Sequence, residues 1–264
     1  MVCLISKLGG YMMIIAITNA KGGVGKTTTA VNLAAAFANR NRKALLVDLD
    51  PQAHSTRCYF REQPERDISD FIMDRPSQAH RAVYPTDYPN VDIVPATEGL
   101  GETAELLSTR IRREERLHRA LASLPDDYKA VLIDCPPSLG ILTYNAINAA
   151  DLILVPVQPG VGAVVGLESL IETAKELRDE DNVPYRILVT MLDLRTTHTN
   201  AIFEELIEEH RKRVLKTVIH KSEALNQANL AGKPIYSFSR SSRGADDYDA
   251  LCEELIRLRV PTYY

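Results

Sequence analysis

A glycine-rich segment near the start of the chain constrains the fold more than any other part of the sequence. It runs from Lys21 to Thr29 and reads Lys-Gly-Gly-Val-Gly-Lys-Thr-Thr-Thr. An apolar, strand-like run, Ile14 to Thr18, precedes it, and a segment with helical periodicity, Thr27 to Asn39, follows it. A glycine-rich loop that ends in Gly-Lys-Thr between a strand and a helix is typical of phosphate binding, because the glycines let the backbone wrap closely round the phosphates. The segment therefore predicts a P-loop.

The residue types in this loop predict separate roles. Lys26 is expected to neutralise the phosphates, and the hydroxyl group of Thr27 to bind magnesium. The cofactors predicted from the loop are therefore ATP and Mg²⁺. The candidate nucleotide-binding residues are Lys21, Gly22, Gly23, Val24, Gly25, Lys26, Thr27, Thr28 and, at the end of a later strand, Met191.

Short apolar runs alternate with segments of helical periodicity along the rest of the chain, which predicts buried parallel strands between helices. The predicted strands are Ile14 to Thr18, Ala44 to Val47, Val91 to Val94, Ala130 to Ile133, Leu152 to Val157, Ile187 to Met191 and Val214 to Ile219. The predicted helices are Thr27 to Asn39, Ala104 to Leu121, Leu139 to Ala149, Val165 to Arg178, Thr199 to Arg211 and Gly244 to Leu258.

This alternation predicts an α/β fold of the P-loop NTPase type, in which a mostly parallel, twisted sheet has helices on both faces. With 264 residues, the chain has a length that suits one such domain. We expect residues 13–264 to form a single ATPase domain behind an N-terminal extension, residues 1–12, that need not be ordered.

Acidic residues follow two of the predicted strands. Asp48 and Asp50 end one strand, and Asp134 ends another. Because the carboxyl ends of parallel strands share one rim of the sheet, these side chains are expected to meet there. Asp134 is predicted to hold magnesium, directly or through water, and Asp50 to orient the attacking water and to serve as a further candidate metal ligand. Asp48 either joins this site or only caps the turn that follows it.

Composition argues against a zinc-binding protein, a disulfide-stabilised protein and a membrane-spanning protein. The four cysteines (Cys3, Cys58, Cys135 and Cys252) lack the spacing of a zinc site or a disulfide framework. No apolar stretch approaches the roughly 20 residues of a membrane-spanning helix. The formal net charge of −4 disfavours a surface that is basic throughout, although it permits a local basic face. These features predict a cytoplasmic protein.

Several segments together resemble the ParA/Soj partition ATPases of the deviant P-loop class, which also includes MinD and the nitrogenase iron protein. The resemblance runs from Ile14 to Leu258. The segments that carry it are the P-loop, Asp50-Pro51-Gln52, Asp134-Cys135-Pro136-Pro137-Ser138-Leu139-Gly140, Leu154 to Gln158, Ala231 to Ile235 and Ser242 to Tyr248. Their combination is far more specific than the P-loop alone.

The resemblance implies a homodimer that sandwiches ATP. In that class the lysine at the position of Lys21 reaches the phosphates of the partner subunit, so Lys21 joins Lys26 and Asp50 as a catalytic candidate. The resemblance also implies nonspecific DNA binding through Lys221, Lys233 and Arg243, since phosphate contacts are independent of base sequence. It implies a nucleoid-associated ATPase, slow alone, that is stimulated by a ParB-like adaptor and that segregates or positions a plasmid, a chromosome region or other cargo.

Two departures leave the finer function open. The family often has Ile-Pro-Arg where this chain has Ile219-His220-Lys221, and an acidic-aromatic-aromatic segment where this chain has Pro159-Gly160-Val161-Gly162. Membrane binding is not expected, because the C-terminal segment Asp249 to Val260 contains Glu253 and Glu254 rather than a basic amphipathic face. The alternative hypothesis is an ATP-switched regulatory or assembly protein that sequesters a protein partner without binding DNA.

Overall fold

An eight-stranded sheet forms the centre of the protein, with the strands in the order β3-β4-β2-β5-β1-β6-β7-β8. The structure, a computed structural model, describes residues 12–160, 163–193 and 208–258. Among the described strands, only β3 and β4 pair in antiparallel fashion. The strands are β1 (Met13–Ile17), β2 (Ala44–Asp48), β3 (Tyr84–Pro85), β4 (Val91–Val94), β5 (Ala130–Asp134), β6 (Leu152–Val157), β7 (Tyr185–Leu192) and β8 (Val214–His220).

Ten α-helices surround this sheet within the described residues. They are α1 (Lys26–Asn39), α2 (His54–Tyr59), α3 (Ile68–Met73), α4 (Leu100–Ser108), α5 (Arg116–Leu121), α6 (Ile141–Ala149), α7 (Ala163–Arg178), α8 (Glu223–Leu230), α9 (Ile235–Phe238) and α10 (Arg243–Arg257). Three 3₁₀ turns add Pro76–Ala82, Arg113–Glu115 and Glu208–Arg213.

Side chains of alternate strand residues pack into two apolar layers, one on each face of the sheet. Ile15 and Ile17 of β1 pack in the layer that contains α1 and α10, whereas Ile14 and Ala16 pack in the layer that contains α3, α5 and α6. Strands buried on both faces read as continuous apolar runs rather than as alternating patterns. The predicted α/β fold of a mostly parallel sheet with helices on both faces is therefore confirmed.

Strand register places the functional segments beside one another. Residue Ile17, at the end of β1, pairs with Asp134 of β5 on one side and with Leu154 of β6 on the other. Asp48 of β2 pairs with the same Asp134. The loops that leave β1, β2 and β5 consequently share one rim of the sheet, which is where ligands bind in folds of this kind.

One predicted helix is wrong. The segment Ala104 to Leu121 is not continuous, because Arg112 has a φ of 53° and this left-handed conformation cannot lie inside a right-handed helix. The chain instead forms α4, a 3₁₀ turn and α5. Of the predicted helix Thr199 to Arg211, only residues 208–211 are described, and they lie in a 3₁₀ turn.

Other predicted segments fall partly outside the described residues. These are residues 1–11 of the N-terminal extension, residues 161–162 of the departure after β6 and residues 259–264 at the C-terminus. Met12, the last residue of the predicted extension, packs against the layer that contains α3, α5 and α6. Across the three described ranges, no helix combines the length and the apolar character needed to cross a membrane.

Candidate active site

The loop between β1 and α1 has the backbone conformation that its glycines predict. Gly23 and Gly25 have φ values of 74° and 90°, in the left-handed region that favours glycine. Gly25 directly precedes Lys26, the first residue of α1, and brings no side chain to cap that helix. The first N–H groups of α1 therefore point toward a place where an anion can bind.

Side chains from neighbouring strand ends fix the loop in place. The Oδ1 atom of Asn19 accepts a hydrogen bond from the N–H of Lys21 at 2.9 Å, and its Nδ2 atom donates to the carbonyl of Pro156 at 2.8 Å. The hydroxyl of Thr190 donates to the carbonyl of Val24 at 2.9 Å. The loop is thus tied to β6 and β7, and Asn19 is a site residue that sequence reasoning missed.

Lys26 lies at the centre of the rim with most of its side chain buried. Its ammonium group donates to the carbonyl of Lys21 at 2.9 Å. Burial lowers the pKa of Lys26, and the negative charges of Asp134 and Asp50 oppose this shift. The predicted lysine and both predicted carboxylates are therefore close enough to act on one another, as the sequence indicated.

Asp134 is fully buried and lacks a hydrogen-bond partner for either carboxylate oxygen among the described residues. Burial, reinforced by the negative charge of Asp48, raises its pKa well above the ordinary aspartate value. The Thr27 hydroxyl is near enough to stabilise the charged form. A buried carboxylate with unused acceptors next to a hydroxyl group fits a magnesium ion, which prefers oxygen ligands.

Asp48 and Asp50 have different surroundings although they are two residues apart. The Oδ1 atom of Asp48 accepts from the N–H of Asp50 at 3.0 Å, and its Oδ2 atom accepts from the N–H of Thr56 at 2.8 Å and from the Thr56 hydroxyl at 2.7 Å. Asp48 therefore caps the turn and also lies close enough to Asp134 to raise its pKa, so both features of the two predicted alternatives are present. Asp50 is 8% exposed, and its Oδ1 atom accepts from the N–H of Gln52 at 2.9 Å.

A cavity of about 330 Å³ opens beside the P-loop. Its walls include Gly25 and Thr28 of the loop region, Met191 at the end of β7 and His220 at the end of β8. Met191 lies against the loop: if Gly25 carried a Cβ atom, that atom would lie 3.8 Å from the Cε atom of Met191. Met191 thus lies beside the P-loop, and its predicted contact with the nucleotide stays a prediction.

Asp247 of α10 is another residue that sequence reasoning missed. Its carboxylate accepts from the backbone N–H of His220 at 2.9 Å and lies 3.0 Å from Nδ1 of the same residue. Both side chains are largely buried. In the sequence these two residues lie 27 positions apart, so only the packing of α10 against β8 brings them together.

The three candidate DNA-binding residues do not form one cluster. Lys221 and Arg243 line a common cavity of about 350 Å³, together with the acidic residues Asp193 and Glu223. Lys233 is exposed in the segment between α8 and α9. The structure thus brings two of the three together on a surface of mixed charge.

A mostly parallel sheet with a glycine-rich loop between β1 and α1, a buried lysine at the helix start and a buried carboxylate at a strand end defines a P-loop nucleotide-binding protein. Comparison with known proteins narrows this class. The chain matches the AAA domain family over residues 12–187. It is 42% identical over 248 residues to the sporulation initiation inhibitor protein Soj of Bacillus subtilis, covering 92% of this chain and 97% of Soj.

Further similarities agree with this match. The chain is 38% identical over 254 residues to the chromosome partitioning protein ParA of Myxococcus xanthus, covering 94% and 89% of the two chains. A structure of cobyrinic acid a,c-diamide synthase from Mycobacterium smegmatis with bound ADP and magnesium matches with a TM-score of 0.76 at 30% identity, covering 96% of this chain and all of that one. MinD from Pyrococcus horikoshii with Mg-ADP matches with a TM-score of 0.75, 22% identity and 94% and 97% coverage, which supports the fold alone.

The chain belongs to the ParA/Soj family of P-loop ATPases. The resemblance indicated by the sequence segments is confirmed.

Proposed function

We propose that the protein is an ATP-switched partition or cargo-positioning ATPase that binds ATP with Mg²⁺ and closes as a homodimer. The ATP-bound dimer binds DNA without sequence preference, and a ParB-like partner stimulates hydrolysis and release. The observation that carries the proposal is the fully buried carboxylate of Asp134, which has no hydrogen-bond partner in the described part of the chain and lies beside Lys26 and Thr27 at the start of α1. The Soj and ParA relatives support the cellular role.

Different residues of the loop and its neighbours bind the phosphates, the nucleoside and Mg²⁺. The N–H groups of residues 22–28 and the ammonium of Lys26 bind the phosphates, and Met191 borders the nucleoside. Thr27 and Asp134 hold Mg²⁺, Asp134 directly or through water, with Asp50 as a further candidate ligand. When bound, Mg²⁺ neutralises charge that develops on the phosphates.

Hydrolysis requires a positioned water and a second positive charge. Asp50 orients the water, and the turn that follows it, fixed by Asp48 and Thr56, holds its backbone in place. Lys21 extends from the loop to the phosphates of the partner subunit. A cation supplied by the partner stabilises charge in the transition state and makes hydrolysis depend on dimer formation.

Substitution of Lys21 tests the dimer switch. The unmodified protein is expected to dimerise with ATP and Mg²⁺ but not with ADP, as measured by light scattering coupled to size-exclusion chromatography. Lys21→Ala should stay monomeric and hydrolyse ATP at the background rate, because the charge supplied in trans is lost. Lys175→Ala, on α7 far from the loop, is the matched control and should behave as the unmodified protein. ATP-dependent dimers of Lys21→Ala with normal hydrolysis would contradict the role.

A gel-shift assay with random-sequence DNA tests the DNA-bound state. Binding is expected with ATP, and not with ADP or without nucleotide. It should weaken as salt rises, since the contacts are to phosphates. Lys221→Glu should reduce the affinity without changing ATP-dependent dimerisation. If the ATP-bound dimer forms but never binds DNA, the alternative of an ATP-switched protein that sequesters a protein partner replaces this proposal.

A further inference from the structure

Ser55 has a hydroxyl group that is buried without a hydrogen-bond partner among the described residues. The residue is 0% exposed, and its Oγ atom is inaccessible to solvent. It lies in α2, which begins four residues after Asp50. Leaving a buried hydroxyl unpaired is unfavourable, so such groups in proteins usually mark a missing water, ion or ligand.

The surroundings of Ser55 are the two buried carboxylates of the rim. Its hydroxyl is close enough to Asp48 and to Asp134 to favour the charged form of each, yet it makes no hydrogen bond of normal geometry with either. Asp48 already accepts from the Asp50 N–H and from both donor groups of Thr56. Among the described residues of the rim, unused bonding capacity remains on Ser55, on Asp134 and on the Thr18 hydroxyl directly after β1, and of these hydroxyl groups Ser55 is the one that acts on Asp134 together with Thr27.

The position of Ser55 is fixed by its neighbours in the chain. Thr56 is bound to Asp48 through both its N–H and its hydroxyl group. Ala53, at the start of α2, has a φ of 51°, and its N–H donates to the carbonyl of Asp50 at 2.8 Å. Ser55 is thus held between two anchored residues. A group held this firmly can position a ligand without a further loss of freedom on binding.

We propose that Ser55 is a positioning residue that, with Asp134, holds a water molecule of the magnesium coordination shell. Mg²⁺ in proteins usually keeps several waters and binds through one or two carboxylates together with phosphates. A water between Ser55 and Asp134 would accept from the Ser55 hydroxyl and donate to one carboxylate oxygen of Asp134, two groups that have no other hydrogen-bond partner among the described residues. The inference rests on the proposed role of Asp134 as a magnesium ligand.

The test compares the magnesium-dependent gain in ADP affinity between variants. Calorimetric titration of each protein with ADP, in Mg²⁺ and in EDTA, gives this gain directly. Ser55→Ala is expected to lower the gain about tenfold, the size typical of residues that orient metal ligands, without changing ADP affinity in EDTA. Ser69→Ala is the matched control, because Ser69 on α3 also has a buried Oγ atom without a partner among the described residues but is not one of the groups that act on Asp48 or Asp134.

Two additional variants, Asp134→Asn and Ser55→Cys, distinguish failure of the metal role of Asp134 from failure of the role of Ser55. Asp134→Asn should remove most of the gain; if it keeps the gain, the proposed metal role of Asp134 is wrong. If Asp134→Asn loses the gain while Ser55→Ala keeps it, or if Ser55→Ala and Ser69→Ala behave alike, the role of Ser55 is overturned. Ser55→Cys, which keeps the shape but hydrogen-bonds weakly, should show the same loss if alanine substitution impairs folding.

Discussion

Two segments of the active-site rim, the end of β2 and the residues after β4, meet at the side chain of Thr56. Its hydroxyl donates to Asp48 at the end of β2 and accepts from the N–H of Ala96, after β4, at 2.9 Å. Its own N–H donates to the same carboxylate. Asp48 is fully buried, and a buried carboxylate is tolerated only where donors compensate for the water that it has lost. The Thr56 hydroxyl therefore stabilises the charged carboxylate of Asp48 and also fixes the backbone at Ala96.

Replacing Thr56 by valine is expected to destabilise the protein by about 3 kcal/mol, since both Asp48 and the Ala96 N–H lose a partner while the shape of the side chain is kept. Urea unfolding followed by circular dichroism measures the free energy of unfolding. Thr173→Val is the control, because the Thr173 hydroxyl donates only to a carbonyl within its own helix α7. Equal losses in the two variants would show that the Thr56 hydroxyl has no special role.

The residues that could be predicted from sequence are those whose chemistry is local. The P-loop, Asp50 and Asp134 each follow an apolar strand, and this context alone directs them to the rim. Asn19 and Ser55 were missed because nothing in the neighbouring sequence shows what they face. The partner of Asn19, Pro156, is 137 positions away, and the sheet alone brings them together.

At the scale of elements, β8 is the last strand of the described sheet, and a side chain from helix α10 accepts hydrogen bonds from its backbone. The N–H groups of Lys216 and Thr217 donate to the two carboxylate oxygens of Glu254 on α10, each at 2.8 Å. The pairing of β8 with β7 is irregular here, which leaves these consecutive groups without strand partners. Glu254 therefore supplies acceptors for backbone donors that the irregular β7–β8 pairing leaves without strand partners.

Glu254→Gln is expected to lose about 1–2 kcal/mol of stability at neutral pH, since a neutral amide accepts more weakly than a carboxylate and part of the site is open to solvent. Burial tends to raise the pKa of Glu254, but hydrogen bonds from Thr217 and Lys216 outweigh burial and lower its pKa below the ordinary value of 4.5. The stabilisation is therefore complete above pH 4.5 and is lost as pH falls through the lowered value.

The measurement is urea unfolding of both proteins between pH 7 and pH 3. The difference in stability between Glu254→Gln and the unmodified protein should shrink below pH 4.5 and disappear once Glu254 is protonated in the folded state. Glu176→Gln, at an exposed position on α7, controls for the general effect of removing a negative charge. A difference that stays constant over this range would contradict the assignment.

Seven of the eight described strands were predictable to within two residues, because burial on both faces makes them continuous apolar runs. The two-residue strand β3 (Tyr84–Pro85) was not predicted, since it is short and partly exposed. The short helices α8 and α9 were not predicted. They span 8 and 4 residues, too few for helical periodicity to be evident, and tertiary contacts fix their ends. The backbone N–H of Ile235 at the start of α9, for example, donates to the Oδ1 atom of Asn32 in α1 at 2.7 Å.

Across the whole molecule, the P-loop is joined to the C-terminal elements by side chains about 200 positions away. The Nδ2 atom of Asn229, in α8, donates to the hydroxyl of Thr28 at 2.9 Å. The hydroxyl groups of Thr29 and Tyr248, in α10, lie 3.3 Å apart. The same C-terminal region carries Lys221, Lys233 and Arg243. A change at the phosphate loop can therefore reach the surface proposed for DNA through direct contacts.

Hydrogen exchange of the backbone amides can detect this link without DNA. Binding of ADP and Mg²⁺ should slow exchange in residues 223–238 of the unmodified protein, because ordering Thr28 also orders its partner Asn229. Asn229→Ala should remove most of this protection, by about 2- to 10-fold in exchange rate, the range expected for the loss of one hydrogen bond.

The control is Gln227→Ala, an exposed residue of α8 that bonds only within its helix, to Glu223 at 3.3 Å. It should keep the nucleotide-dependent protection. Because Asn229 also lines the cavity beside the P-loop, each protein is measured at an ADP concentration that saturates it, so that lost protection reflects a broken link and not lost ligand. Full protection in Asn229→Ala would mean that the nucleotide acts on α8 by another route, through Asn32 or Tyr248, and would refute the proposed contact.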